Sequence, residues 1–183
     1  GDGRYEVSLN WDLPSAQTLS RYMKNVPSPI KRDYNWPRPM GFEPFDHQKD
    51  TASFLSLRKR AFCFNGLGSG KSLSALWAAD FLKKIGVVNR VLVISPLSTL
   101  DVVWGREIFT HFPHRTCNVL HGTSDKRKKL LADPADFYVI NHHGVGVVAE
   151  ELRKRQDIDL IIVDEVAVLR NSQTKMWKAL RSV

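Results

Sequence analysis

The sequence predicts an α/β fold, a mostly parallel sheet with helices on both faces. Three observations carry this. From residue 61 to 183, short apolar runs alternate with helix-patterned stretches. The runs 91–94 and 160–163 are continuously apolar, as in strands covered on both sides. The clearest runs end in polar or glycine-rich turns, where open α/β sheets hold their ligands. Right-handed crossovers then bring the strands into one parallel sheet. The 183 residues are enough for a core, and 43% hydrophobic with 25% charged residues is an ordinary globular balance.

Residues 1–39 form an N-terminal arm broken by Pro14, Pro27, Pro29, Pro37 and Pro39, with a short helix expected near 15–24. Tyr34 and Trp36 point to an extended arm packed on the rest rather than a free linker. A helical pattern runs from Gln48 to Leu57. The Gln48 amide donates and accepts at once, which suits the edge of an adenine, and a nearby aromatic ring could stack on the base. Taken alone, though, a glutamine at a helix start is an ordinary surface residue.

After the basic run 57–60, Ala61 to Phe64 reads as a strand, Asn65-Gly66-Leu67-Gly68-Ser69-Gly70-Lys71-Ser72 as a glycine-rich turn, and 73–84 as a helix closed by Gly86. That order suits a polyphosphate. Glycines let several N–H groups converge on one anion, and the helix turns its positive end toward the same point. Lys71 adds a full charge for the β- and γ-phosphates and Ser72 a hydroxyl for Mg²⁺. The pattern G-x-x-x-x-G-K-[ST] is met except at its first position, Asn65, which tolerates left-handed backbone.

The strand at 91–95 ends in Pro96-Leu97-Ser98-Thr99, whose hydroxyls and turn amides suit a nucleic-acid phosphate and read equally as a helix start. A helix is expected over 101–112, with Val103, Trp104 and Ile108 on one side. Cys117 to Leu120 reads as a strand, and Lys126-Arg127-Lys128-Lys129 as a solvated helix face. The strand 137–141 ends in Asn141-His142-His143-Gly144, and helix returns over 145–155. His142 and His143 would face opposite sides of a strand, so they do not share a ligand set. The last strand, 159–163, delivers Asp164 and Glu165 at its carboxyl end, 93 and 94 residues after Lys71. In an ATPase, Asp164 would hold Mg²⁺ and Glu165 would orient or deprotonate the attacking water.

Cys63 and Cys117 make no disulfide framework, and the default compartment is a reducing cytoplasm. No apolar run reaches the ~20 residues of a membrane helix, and no signal peptide is evident. The net charge of +8 admits a polyanionic partner without requiring one.

Taken together, Gln48, Gly68-Ser69-Gly70-Lys71-Ser72, Ser95-Pro96-Leu97, Asn141 and Asp164-Glu165-Val166-Ala167 resemble the first motor lobe of a superfamily 2 helicase. Leu169-Arg170-Asn171 and the stretch from Pro96 to Trp104 look like the Swi/Snf-type branch, including helicases carried by bacteriophages. The resemblance covers about residues 40–183. It implies a RecA-like P-loop lobe in which Gln48 reads adenine, Gly66, Leu67, Gly68, Ser69, Gly70, Lys71 and Ser72 hold ATP, and Ser72 and Asp164 hold Mg²⁺. Lys71, Asp164 and Glu165 would be catalytic, and Pro96, Leu97, Ser98, Asn141 and His142 would touch nucleic acid. The partner implied is DNA, with RNA as the alternative, and the location is the cytoplasm, the host's if the chain is phage-encoded. Ala167 stands where many relatives have His, which puts in doubt one route coupling ATP to nucleic acid. Val183 precedes the Ser/Thr-Ala/Gly-Thr turn expected to close the lobe, which implies a fragment. The second lobe and its arginine finger are not in this chain, and slow hydrolysis is expected from it alone. Competing readings are an RNA helicase, a restriction-enzyme motor subunit, a non-hydrolysing docking module and a small P-loop kinase. Glu165 argues against the docking module. Gln48 and the acidic pair argue against the kinase.

Overall fold

The computed structural model describes residues 3–58, 61–64 and 70–164. Its centre is a parallel sheet of five strands, β1 (Ala61–Phe64), β2 (Arg90–Ser95), β3 (Cys117–Leu120), β4 (Phe137–Asn141) and β5 (Ile158–Asp164). Their spatial order is β1-β5-β2-β4-β3. The helices are α1 (Leu13–Leu19), α2 (Ile30–Asp33), α3 (Asp46–Ser56), α4 (Lys71–Lys84), α5 (Arg106–His111), α6 (Ser124–Ala132), α7 (His142–Val147) and α8 (Ala149–Arg153).

The strand order explains which helix covers which face. The connections through α4 and α5 move in one direction across the sheet, and those through α6 and α7–α8 move back. With right-handed crossovers, reversing direction puts the helix on the opposite face. The core divides accordingly. Leu76, Trp77 and Phe81 of α4, Trp104 and Ile108 pack with Val91, Val93, Val139, Leu160 and Ile162 on one face. Leu131 of α6, Val145 of α7 and Leu152 of α8 pack with Leu92, Ile94, Tyr138, Ile140 and Val163 on the other. Alternate residues of β2 therefore serve two cores, which is why its sequence is continuously apolar.

Helix α4 stops in the way its glycine suggests. Gly86 has φ +79°, its N–H donates to Lys83 O at 3.0 Å, and Val87 N–H donates to Leu82 O at 2.9 Å. These are the paired bonds of a Schellman cap. The arm joins the first core through Leu13, Ile30, Tyr34 and Trp36. Tyr34 Oη donates to Asp80 Oδ2 of α4 at 2.5 Å, and Asp80 Oδ1 also accepts from Arg115 Nε at 2.6 Å. His114 Nε2 lies 2.8 Å from the same oxygen. Burial, then the Asp80 charge, pushes the Tyr34 hydroxyl far above its usual range.

Several expectations need correction. The arm's helix lies at Leu13–Leu19 rather than near 15–24. The single helix expected over 101–112 is two segments, a π-helical turn (Leu100–Gly105) and α5, and a 3-10 turn (Leu97–Thr99) precedes them. The helix expected over 145–155 is two, and it begins earlier: His142 and His143 open α7 instead of flanking a strand. Arg127 does not lie on a solvated face. It is buried, while Lys126, Lys128 and Lys129 are exposed.

Candidate functional site

The carboxyl ends of the strands bring the sequence motifs together. In β1 and β5 the register pairs Phe64, the residue before the glycine-rich turn, with Asp164. Alternation along β5 puts Asp164 on the same face as Leu160 and Ile162, the face covered by α4. Asp164 is 1% exposed, and its Oδ2 accepts from Trp104 Nε1 at 3.1 Å.

The turn enters α4 at Gly70, whose φ of +67° is left-handed. A Cβ there would also collide with the side-chain amide of Gln48. The backbone angle thus requires Gly70, and the Gln48 side chain lies close against it. Gln48 is 4% exposed and reaches back along α3, where its Oε1 accepts from Phe45 N–H at 2.9 Å. Phe45 itself is exposed and stacks on His47, with ring centroids 5.4 Å apart. In the first turn of α4, Lys71 is exposed and Ser72 is buried, and no acidic residue stands there to compete for an anion. Gly66, Leu67, Gly68, Ser69 and Glu165 lie outside the described residues, as do Ala167 and 169–171.

A second cluster occupies the ends of β2 and β4, where the register pairs Ser95 with Asn141. The chain leaves β2 toward one face and β4 toward the other, so this is a topological switch point, the place where such sheets hold ligands. Leu97 and Ser98 are exposed on the turn after β2, and Thr99 N–H closes that turn on Pro96 O at 3.1 Å. His142 is half-buried. Asn141 is 9% exposed, and its Oδ1 accepts from Arg127 Nη1 at 2.9 Å. Arg127 Nε is anchored on Gly122 O at 2.9 Å. Gly144 leaves room for this guanidinium, which a Cβ would strike.

Sequence reading missed Trp104 and Arg127 as polar anchors. The signal for Trp104 was weak but real, since a fully buried indole must find an acceptor. Cys117 offers no competing chemistry: burial, then the nearby Asp101 charge, pushes its thiol up to about 12. Among the described residues, no group of three or more His, Cys, Asp or Glu side chains could hold a metal ion alone.

Residues 19–183 match the model of a family described as the SNF2-related domain. The chain belongs to that family. It is 28% identical, over 127 residues, to the Drosophila melanogaster "SWI/SNF-related matrix-associated actin-dependent regulator of chromatin subfamily A containing DEAD/H box 1 homolog". That match covers 64% of this chain and 15% of the relative. Two solved structures share the fold. The Sulfolobus solfataricus SWI2/SNF2 ATPase core in complex with dsDNA has TM-score 0.66 and 24% identity, over 80% of this chain and 31% of that one. The Sulfolobus solfataricus SWI2/SNF2 ATPase core domain has TM-score 0.57 and 22% identity, over 84% and 32%. The SNF2-related chain thus has the RecA-like architecture that its motifs imply, and it spans about a third of the solved cores. None of its described helices is long and apolar enough to cross a membrane.

Proposed function

We propose that the chain is the ATP-binding lobe of a DNA-dependent ATPase that moves along DNA. The observation that carries this reading is the β1–β5 register, which sets the start of the glycine-rich turn beside a buried aspartate on the face of α4. In this reading Gly66, Leu67, Gly68, Ser69 and Gly70 wrap the phosphates with backbone N–H groups. Lys71 neutralises the β- and γ-phosphates, and Gln48, already against Gly70, borders the base. Ser72 and Asp164 would hold Mg²⁺, and the fit is good: a hydroxyl and a carboxylate are the hard oxygens this ion prefers. When bound, the ion neutralises charge on the transferring phosphoryl group. Glu165 orients the attacking water and takes its proton.

The carboxyl ends of β2 and β4 are the proposed DNA face, with Pro96, Leu97, Ser98, Asn141 and His142 on the backbone phosphates. Its position at a switch point supports this, as do the chain's net charge of +8 and the duplex held by the solved Sulfolobus core. Because the Asn141 carbonyl is committed to Arg127, its amide N–H groups are the ones available to phosphate. Rapid turnover then needs a second lobe to supply a transition-state cation, worth on the order of 10³ or more in rate. The test is DNA-stimulated ATP hydrolysis by the full-length protein carrying Lys71→Ala. Stimulated turnover should vanish, and its survival would refute the placement of the phosphates.

A further inference from the structure

We infer that Trp104 is a positioning residue for the metal-bound nucleotide: its indole N–H fixes the Asp164 carboxylate in the orientation that receives Mg²⁺. The inference rests on the nucleotide reading above and adds a residue to it.

Trp104 is fully buried, and its Nε1 donates to Asp164 Oδ2 at 3.1 Å across 60 residues of chain. An aspartate at a strand end can turn about two side-chain bonds. A directed donor on one oxygen restricts that freedom and so sets the direction of the other. The donor is uncharged, so it orients the carboxylate without adding a positive charge of its own. A guanidinium in the same place would compete with a cation for the charge. Outer partners of metal-ligating side chains work in this way, fixing ligand orientation.

The backbone around Trp104 is unusual in the same place. Residues Leu100–Gly105 form a π-helical turn, and Arg106 N–H reaches back five residues to Asp101 O. A π turn is a local cost in hydrogen-bond geometry and recurs at functional sites. Here it lies between the exposed turn Leu97–Thr99 at the end of β2 and the regular helix α5. It seats Leu100 and Trp104 together in the core while the indole edge reaches β5. The proposed DNA-facing turn and the proposed metal carboxylate are therefore joined by one short segment.

The test measures the affinity of the full-length protein for mant-ATP, once in Mg²⁺ and once in EDTA, for wild type, Trp104→Phe and Asp164→Asn. Trp104→Phe keeps the ring and loses the N–H. We expect it to reduce the tightening produced by Mg²⁺ on the order of 10-fold, with the affinity in EDTA unchanged. Asp164→Asn should abolish the tightening. If Trp104→Phe keeps the full increment while Asp164→Asn loses it, the positioning role is wrong and the nucleotide reading stands. Equal weakening in both media would make Trp104 a packing residue and also overturn the inference. If Asp164→Asn keeps the increment, the nucleotide reading itself fails. Should Trp104→Phe not fold, ¹⁹F spectra of the 5-fluorotryptophan-labelled protein decide. The indole resonance displaced by Asp164→Asn must be one that Mg²⁺ with a non-hydrolysable ATP analogue also displaces, and its indifference to that addition overturns the proposal.

Discussion

Strand β5 has a carboxylate just before its first residue and another as its last, and opposite chemistries hold them. Asp157 is clasped by cations. Arg155 Nε and Nη2 donate to its two oxygens at 2.7 and 2.8 Å, and Arg90 Nε adds a third bond at 2.7 Å. The Arg155 hydrogen bonds, ahead of the charge of Arg155 and the bond from Arg90, hold its carboxyl down at about 2. Asp164 sits seven residues on, far more buried, with the neutral indole of Trp104 as its described donor. The first carboxylate is satisfied as a structural tie between β5, β2 and the turn before β5. The second takes a directed hydrogen bond from a neutral group. In the proposed reading, position along one strand separates a fold-holding acid from a metal-binding one, in line with the rule that open α/β sheets put ligands at their carboxyl ends.

The sharpest way to break this comparison is to neutralise each end in turn. Asp164→Asn should cut DNA-stimulated hydrolysis by more than the ~10–100-fold typical of an outer partner, with little loss of stability. A fall in thermal midpoint with turnover intact would reverse the assignment of the two ends. The neighbouring strand tip offers a third case. At Asn141 the anchor is a buried cation, Arg127, in keeping with the proposed phosphate-binding face. Arg127→Met leaves the Asn141 oxygen without this donor and should cost about 1–3 kcal/mol of stability. It should also weaken DNA binding by loosening Asn141, while mant-ATP affinity in Mg²⁺ stays the same. Loss of the nucleotide affinity together with DNA binding would mean that the two tips are not separate sites.

Much of this was legible in the residues. The strands Cys117–Leu120 and Phe137–Asn141 fall where the apolar runs put them, and β2 starts one residue early at Arg90. Buried parallel strands are the easiest case, because both faces demand apolar side chains. The misses share one cause. Apolar spacing reports contact with a core but not which N–H meets which oxygen. Trp104 and Ile108 carry the same spacing in a π turn followed by an α-helix as in one continuous helix, so 101–112 read as a single element. Arg127 looked like its lysine neighbours because its acceptors, Asn141 and Gly122, come from other segments of the chain. Asp80 gave a signal that went unread: a carboxylate inside the apolar stripe of α4 must be paired, and its partners Tyr34, His114 and Arg115 flank the helix from both directions in sequence.

The smallest expected effect concerns the structural end of β5. Asp157 titrates at about 2 in the folded chain against an ordinary 3.8, so the folded state favours its ionised form. That contribution is complete above about pH 5 and is lost as pH falls through 3.8 toward 2. Asp136 adds to the same acid limb. Burial alone would raise its carboxyl, but Thr116 N–H and the Lys83 ammonium, at 2.9 and 3.0 Å, together outweigh that and lower it. The Asp157 side chain is 40% exposed, so water and salt screen the effect, and it should shrink further in high salt. Urea midpoints of wild type and Asp157→Asn, compared from pH 7 to pH 2, test it. The gap should be widest at neutral pH and close toward pH 2, leaving Mg²⁺-dependent mant-ATP binding at pH 7 unchanged. A gap that holds constant down to pH 2 would show that the guanidinium clasp stabilises β5 by packing alone, and the contrast between its two ends would lose its electrostatic basis.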